Sequence, residues 1–291
     1  MPSGPDGVVP LLLFAGRRPE VTIPELIPLF AALGCVAGLL AGTLGLGGGV
    51  VIVPALLGVF SLLGFDPAVR TQMAVATSLA TISVTSLSAI HTHHRAGILR
   101  WPLAGRLAFG ILVRAFAGAF VADWLPGATL AGLFGGFAMV IAARMALAGR
   151  RPPRHHQESL PGDAGLAGAG GLIGLASSLF GIGGGSLTVP FLSGRGVAMR
   201  EAVAVSSALG FLIAVAGSLG FVVAGWNRTA LPEATLGYIH LPALAGIVLT
   251  SFPLARVGAR LAHRLPAARL KMVFAAVLFG IGLKLVRDTL G

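Results

Sequence analysis

The chain has 291 residues, of which 55% are hydrophobic and only 11% are Asp, Glu, Lys or Arg, against roughly a quarter charged in ordinary soluble domains. A soluble fold cannot hide that much apolar surface. The net charge of +11 does not point to nucleic acid, because the basic residues lie in short connections between apolar blocks rather than along one face. The reading is an all-α polytopic membrane protein, and its lone Cys35 excludes a disulfide framework and a cysteine metal site.

In chain order, residues 1–22 carry a short apolar run, Val8 to Ala15, followed by Arg17 and Arg18. That charge order is the reverse of a cleavable signal peptide, so the segment reads as a poorly ordered or interfacial tail. The first apolar block, Ile27 to Leu44, runs into Gly45-Leu46-Gly47-Gly48-Gly49, and Val50 to Phe65 follows with Val53-Pro54 inside it. Met73 to Ile90, Trp101 to Trp124 and Ala128 to Ala148 come next. A polar stretch, Arg150 to Asp163, separates them from a second series: Ala164 to Phe180, Gly181-Ile182-Gly183-Gly184-Gly185, Ser186 to Leu192, Ala202 to Ala224, Leu241 to Val257 and Leu270 to Val286. Several blocks reach the ~20 residues that a spanning helix needs. Ser186 to Leu192 is too short to span and reads as one arm of a dipping hairpin, while Val50 to Phe65 leaves hairpin and full crossing both open.

The two series match. From Gly45 to Gly181 is 136 residues, and each glycine run is followed at the same distance by Val-Pro. Ala76-Thr77-Ser78 answers to Val205-Ser206-Ser207, and Gly118-Ala119 to Gly258-Ala259. Each unit is a glycine-turn helical hairpin plus three transmembrane helices, an odd number of net crossings, so the second unit must be inserted upside down. The expected division is a tail (1–22), a first repeat (23–149), a linker (150–163) and a second repeat (164–291). Inverted repeats are a recurrent plan for secondary transporters. One face would receive Arg95, Arg100, Arg144, Arg150, Arg151, Arg154, Arg195, Arg200 and the group from Arg256 to Lys271. The other receives fewer than half as many: Arg17, Arg18, Arg70, Arg228, Lys284 and Arg287. The richer face is then cytoplasmic, the linker lies there, and both termini lie outside a bacterial inner membrane. Trp124, Trp226 and Tyr238 are expected near the outer interface and Trp101 near the inner one.

Chemistry is expected at the glycine turns. Gly45, Gly47, Gly48 and Gly49 in one copy, and Gly181, Gly183, Gly184 and Gly185 in the other, open the helix where backbone must be covered by protein or line a wet cavity. Each following segment, the second beginning at Ser186, presents a helix N-terminus with unpaired N–H groups and a partial positive charge, which favours an anion. The competing reading is that the glycines merely let helices pack closely. A dinucleotide loop is excluded by the lack of any βαβ context. Thr77-Ser78 and Ser206-Ser207 occupy matching places where hydroxyls can point at the same pocket or bond their own helix.

Arg114 lies thirteen residues into its block, near the midplane, where a charge costs at least ~2.5 kcal/mol, so it is either part of the pathway or it snorkels or pairs with Asp123 near the outer surface. No carboxylate falls at mid-membrane, which argues against a metal or sodium carrier, and no histidine is placed there to activate a nucleophile. With no HExxH or G-x-S-x-G motif either, an enzyme is not expected. His91, His93, His94 and Arg95 read as a solvated basic rim rather than a metal site. No cofactor is implied. The expected partners are a small anion and the lipid bilayer; a homodimer is compatible with the sequence.

On the glycine runs with their Val-Pro followers, and on the Ala-Thr-Ser and Val-Ser-Ser triplets, the chain resembles the TauE/SafE family of sulfite and organosulfonate transporters from about Leu26 to Leu285. The resemblance implies transport of small sulfur-containing anions without nucleotide hydrolysis by the chain itself. An anion channel and a non-transporting assembly factor are the alternatives.

Overall fold

The computed structural model describes residues 23–44, 49–148, 158–262 and 267–290. They form ten helices and one small hairpin: α1 (Ile23–Leu44), α2 (Gly49–Leu62), α3 (Pro67–Arg95), α4 (Trp101–Trp124), α5 (Gly127–Ala148), α6 (Asp163–Leu179), α7 (Gly185–Ser193), α8 (Met199–Gly225), β1 (Thr235–Leu236), β2 (Ile239–His240), α9 (Leu241–Ala262) and α10 (Ala267–Leu290). Among the described residues, α3, α4, α5 and α8 are each long and apolar enough to cross a membrane. α2 and α7, of 14 and 9 residues, are not. Large apolar side chains such as Phe109, Leu249 and Leu219 stay exposed, as a lipid-facing surface requires.

Local chemistry sets where the helices begin. Asp66 caps α3, its Oδ1 accepting from the Ala68 N–H at 2.9 Å, with Pro67 in the first turn where its missing N–H is no loss. α3 therefore starts six residues before the apolar block that announced it. At its other end Gly97 adopts φ +69° and turns the chain into α4.

Helices then pack through small residues. A Cβ on Gly38 of α1 would lie 2.6 Å from the Ser251 carbonyl oxygen of α9, and one on Gly34 2.7 Å from that of Ile247. These backbones touch directly, which is how apolar helices gain dispersion energy without a hydrophobic drive. α4 and α6 do the same, with Gly170 against Leu107 and Gly174 against Ile111, and α5 meets α10 through Gly135 and Gly282. Sequence numbers rise together along α1–α9 and along α4–α6, so both pairs run parallel. Along α5–α10 they run oppositely.

Polar groups gather at the two ends of the bundle. At one end Arg100, before α4, pairs with Glu158 at 3.0 Å and Glu201 of α8 at 3.1 Å. At the other, Asp123 of α4 meets Arg228 and Tyr238 from the α8–α9 connection. α8 starts where α3 ends, and the two lie antiparallel at the centre. Every described carboxylate sits at a helix end or in a connection.

Candidate functional site

The two glycine regions meet. Gly49, the first residue of α2, is buried so closely against the other turn that a Cβ there would fall 2.5 Å from the Gly181 carbonyl oxygen and 2.8 Å from Ile182 Cα. Gly181 itself holds φ +63°, a conformation that glycine adopts without a steric penalty. Ser78 of α3 donates to the Gly181 carbonyl at 2.7 Å, so the first repeat's hydroxyl braces the second repeat's turn. Gly45, Gly47 and Gly48 lie outside the described residues.

Beyond the turn, α7 opens without a side-chain cap. Gly183 and Gly184 are buried, Gly185 is half-buried, and the N–H groups of Gly184, Gly185 and Ser186 find no acceptor among the described residues. The hydroxyls of Ser186 and Thr188 are buried at 4% and 0% exposure and make no hydrogen bond. A buried hydroxyl left unpaired costs about 1–3 kcal/mol. Serine and threonine in helices usually avoid that by bonding the carbonyl three or four residues back, as Thr81 and Thr85 do here. Donors held free around an uncapped helix start form a site complementary to an anion's oxygens.

The hydroxyl pairs part company. Ser206 and Ser207 both donate to the Val203 carbonyl of their own helix, at 2.8 and 3.0 Å. Thr77 instead accepts from the backbone N–H of His240 at 3.0 Å, and its own O–H is committed to no acceptor among the described residues.

His240 is the residue that sequence reasoning missed. It sits at a loop end in the sequence, yet the β1–β2 hairpin folds inward and buries it to 3% exposure, against a threonine ten residues into α3. Its Nδ1 accepts from the Ala243 N–H at 3.2 Å, capping α9, and Phe30, Phe60 and Phe65 enclose the ring at 5.4 to 5.5 Å.

Arg114 is not gathered with the turns. It lies on the exposed side of α4, its stem crossing Gly171 of α6, and meets no carboxylate among the described residues. Asp123, the partner weighed for it, is held by Arg228 at 2.9 Å and by the Tyr238 hydroxyl at 2.5 Å. Tyr238, expected at the lipid interface, is 2% exposed. Burial and the neighbouring carboxylate push its phenol well above the ordinary range, so it remains a donor. Arg114→Ala is therefore expected to leave unfolding stability within about 0.5 kcal/mol of the parent, as for an exposed substitution, and thermal unfolding in detergent checks it. At the opposite end His94 is engaged, its Nδ1 accepting from the Trp101 indole N–H at 3.2 Å.

The family model described as Sulfite exporter TauE/SafE matches residues 30–285. The chain belongs to the TauE/SafE family. A probable membrane transporter protein of Haemophilus influenzae is 34% identical over 259 residues, covering 89% of this chain and 97% of that protein. Another of Methanocaldococcus jannaschii is 26% identical, covering 89% and 94%, and YunE of Bacillus subtilis, also described as a probable membrane transporter protein, is 25% identical, covering 89% and 97%. No solved structure matches the chain. With its apolar helices, this TauE/SafE protein is a multi-pass membrane transporter.

Proposed function

We propose that this TauE/SafE protein is a secondary transporter of small sulfur-containing anions such as sulfite or organosulfonates, which bind between the two glycine-turn hairpins and are exposed alternately to each side. The observation that carries the reading is the uncapped start of α7, with unpaired N–H groups and the free buried hydroxyls of Ser186 and Thr188, beside the junction of Gly49 with Gly181. On this reading Gly49, Gly181, Gly183, Gly184, Gly185, Ser186, Thr188 and Thr77 face the anion and Ser78 braces the turn. Backbone and hydroxyl donors suit an anion whose charge is spread over several oxygens.

Helix directions support the inverted repeat. If α1 to α5 correspond to α6 to α10, the α1–α9 pair exchanges with α6–α4. Both pairs are parallel, while α3–α8 and α5–α10, which exchange with themselves, are antiparallel. That is the pattern of two halves, 23–149 and 164–291, related by an axis in the membrane plane. The arginine excess then puts the Arg100 end and the 150–163 linker in the bacterial cytoplasm, and the Asp123 end and both termini outside the inner membrane.

Purified protein in proteoliposomes loaded with unlabelled sulfite should take up labelled sulfite by saturable counterflow. Flux that neither saturates nor shows counterflow would mark a channel. No flux or binding across sulfite, thiosulfate, sulfonates and carboxylates, with a partner co-purifying in fixed ratio, would mark an assembly factor.

A further inference from the structure

The α8–α9 connection does more than join two helices. Its strands are two residues long, pairing Thr235 with His240 and Leu236 with Ile239. A ribbon that short has little stability of its own, so its position is set by what holds its ends. On one side the Tyr238 hydroxyl donates to Asp123 Oδ1 at 2.5 Å, and Arg228 Nη2 reaches both oxygens of the same carboxylate at 2.9 and 3.0 Å. Two residues on, the His240 N–H seats on Thr77 Oγ1 at 3.0 Å. Tyr238, Asp123 and Arg228 also wall a cavity of about 450 Å³, together with Gln72 and Trp124. The cavity thus shares Tyr238, Asp123 and Arg228 with the latch, while Thr77, which is not part of its wall, holds the hairpin two residues further on.

We propose that the Thr235–His240 hairpin is the outer gate of the transport pathway, latched to α4 through Tyr238 and Asp123 and seated on Thr77, with the cavity as the vestibule in front of it. The inference rests on the transport reading above. The hairpin and Arg228 belong to the second half of the chain, Asp123 and Thr77 to the first, so releasing the latch lets the halves part at this end. The Arg100–Glu158–Glu201 cluster still ties them at the other. Gly237 and Gly225 allow the hairpin to lie directly on α8: a Cβ on Gly237 would fall 2.5 Å from the Val222 carbonyl oxygen, and one on Gly225 2.6 Å from Tyr238 N. The hairpin therefore moves with the end of α8.

Thiol accessibility tests the gate. Cys35 is the chain's single cysteine, so Cys35→Ser provides a silent background for Thr77→Cys, a position at 0% exposure. With the latch intact, a membrane-impermeant sulfonated thiol reagent applied from outside should modify Thr77→Cys slowly. Adding Asp123→Asn or the milder Tyr238→Phe should speed modification at least about tenfold, the scale of losing a hydrogen bond to a charged group. An unchanged rate in both latch variants overturns the gate. So does equal acceleration at Ala142→Cys, a buried position on α5, because the variants would then only have loosened the fold. Sulfite counterflow measured on vesicles of the Cys35→Ser background, which keeps Thr77 intact, separates the two readings. Latch-dependent labelling without counterflow keeps the gate and removes the substrate, whereas counterflow with latch-independent labelling removes the gate and keeps transport.

Discussion

Gly181→Ala is expected to cut sulfite counterflow below about a tenth of the parent and to lower unfolding stability by roughly 2–5 kcal/mol. Two costs add. Alanine at φ +63° meets the left-handed penalty of about 1–2 kcal/mol, and its Cβ would lie 2.8 Å from Val53 Cγ2, 2.9 Å from Val75 Cα and 3.0 Å from the Val75 carbonyl oxygen. Val53 can turn aside, but Val75 is backbone in the middle of α3, so the turn itself must shift and the Ser78 bond to Gly181 with it. Gly97→Ala is the control. That glycine holds φ +69° with nothing within 4 Å of where the alanine methyl would stand, so only the conformational cost of about 1–2 kcal/mol applies, and flux should stay within about threefold. Thermal unfolding in detergent and counterflow in proteoliposomes give both quantities. If the two variants match in flux and stability, the close packing of the turns is not what transport depends on.

Much of the architecture can be read from hydrophobic blocks, because lipid allows few alternatives to helices. α4 begins and ends on the residues of its block, Trp101 and Trp124. α3 does not: Arg70, Thr71 and Gln72 stand ahead of its apolar block, and Asp66-Pro67 is the cap that marks its start. Val50 to Phe65, whose length alone allows a hairpin arm or a full crossing, folds as α2, a helix of 14 residues that is too short to cross. The site divides in the same way. Glycine spacing is a local signal, and the Gly49–Gly181 contact lies where those spacings pointed. Ser78 differs from Ser207 only in what stands opposite it, which no single segment records. Arg114 reads as central because depth along a helix is legible in the sequence while the face it occupies, among apolar residues on all sides, is not. His240 is hidden for the converse reason: a polar residue at the end of a loop gives no sign that a two-strand hairpin turns the loop inward. Local signals for that turn do exist, in Gly237 between the two strands and in a histidine immediately before a helix start, where its side chain can cap.

Thr77→Val and Thr77→Ser should separate the two roles that a threonine can play at this position. Valine matches threonine in shape but removes the acceptor of the His240 N–H and a hydroxyl whose own O–H is uncommitted, so a buried donor loses its partner at about 1–3 kcal/mol. The expected result is a stability loss of that size together with a rise in the half-saturating sulfite concentration of about tenfold or more, since a hydrogen bond to a charged group is worth about 1.5–3 kcal/mol. Serine keeps the hydroxyl, so both quantities should recover to within about threefold. The matching position in the other copy gives the contrast. Ser206 spends its hydroxyl on Val203 of its own helix, and Ser206→Ala should therefore shift half-saturation by no more than about twofold. If Thr77→Val loses stability but binds sulfite like the parent, Thr77 serves only to hold the hairpin. If Ser206→Ala and Thr77→Val weaken binding equally, the two repeats contribute to the anion symmetrically, and the asymmetry of hydrogen bonding between them does not govern recognition.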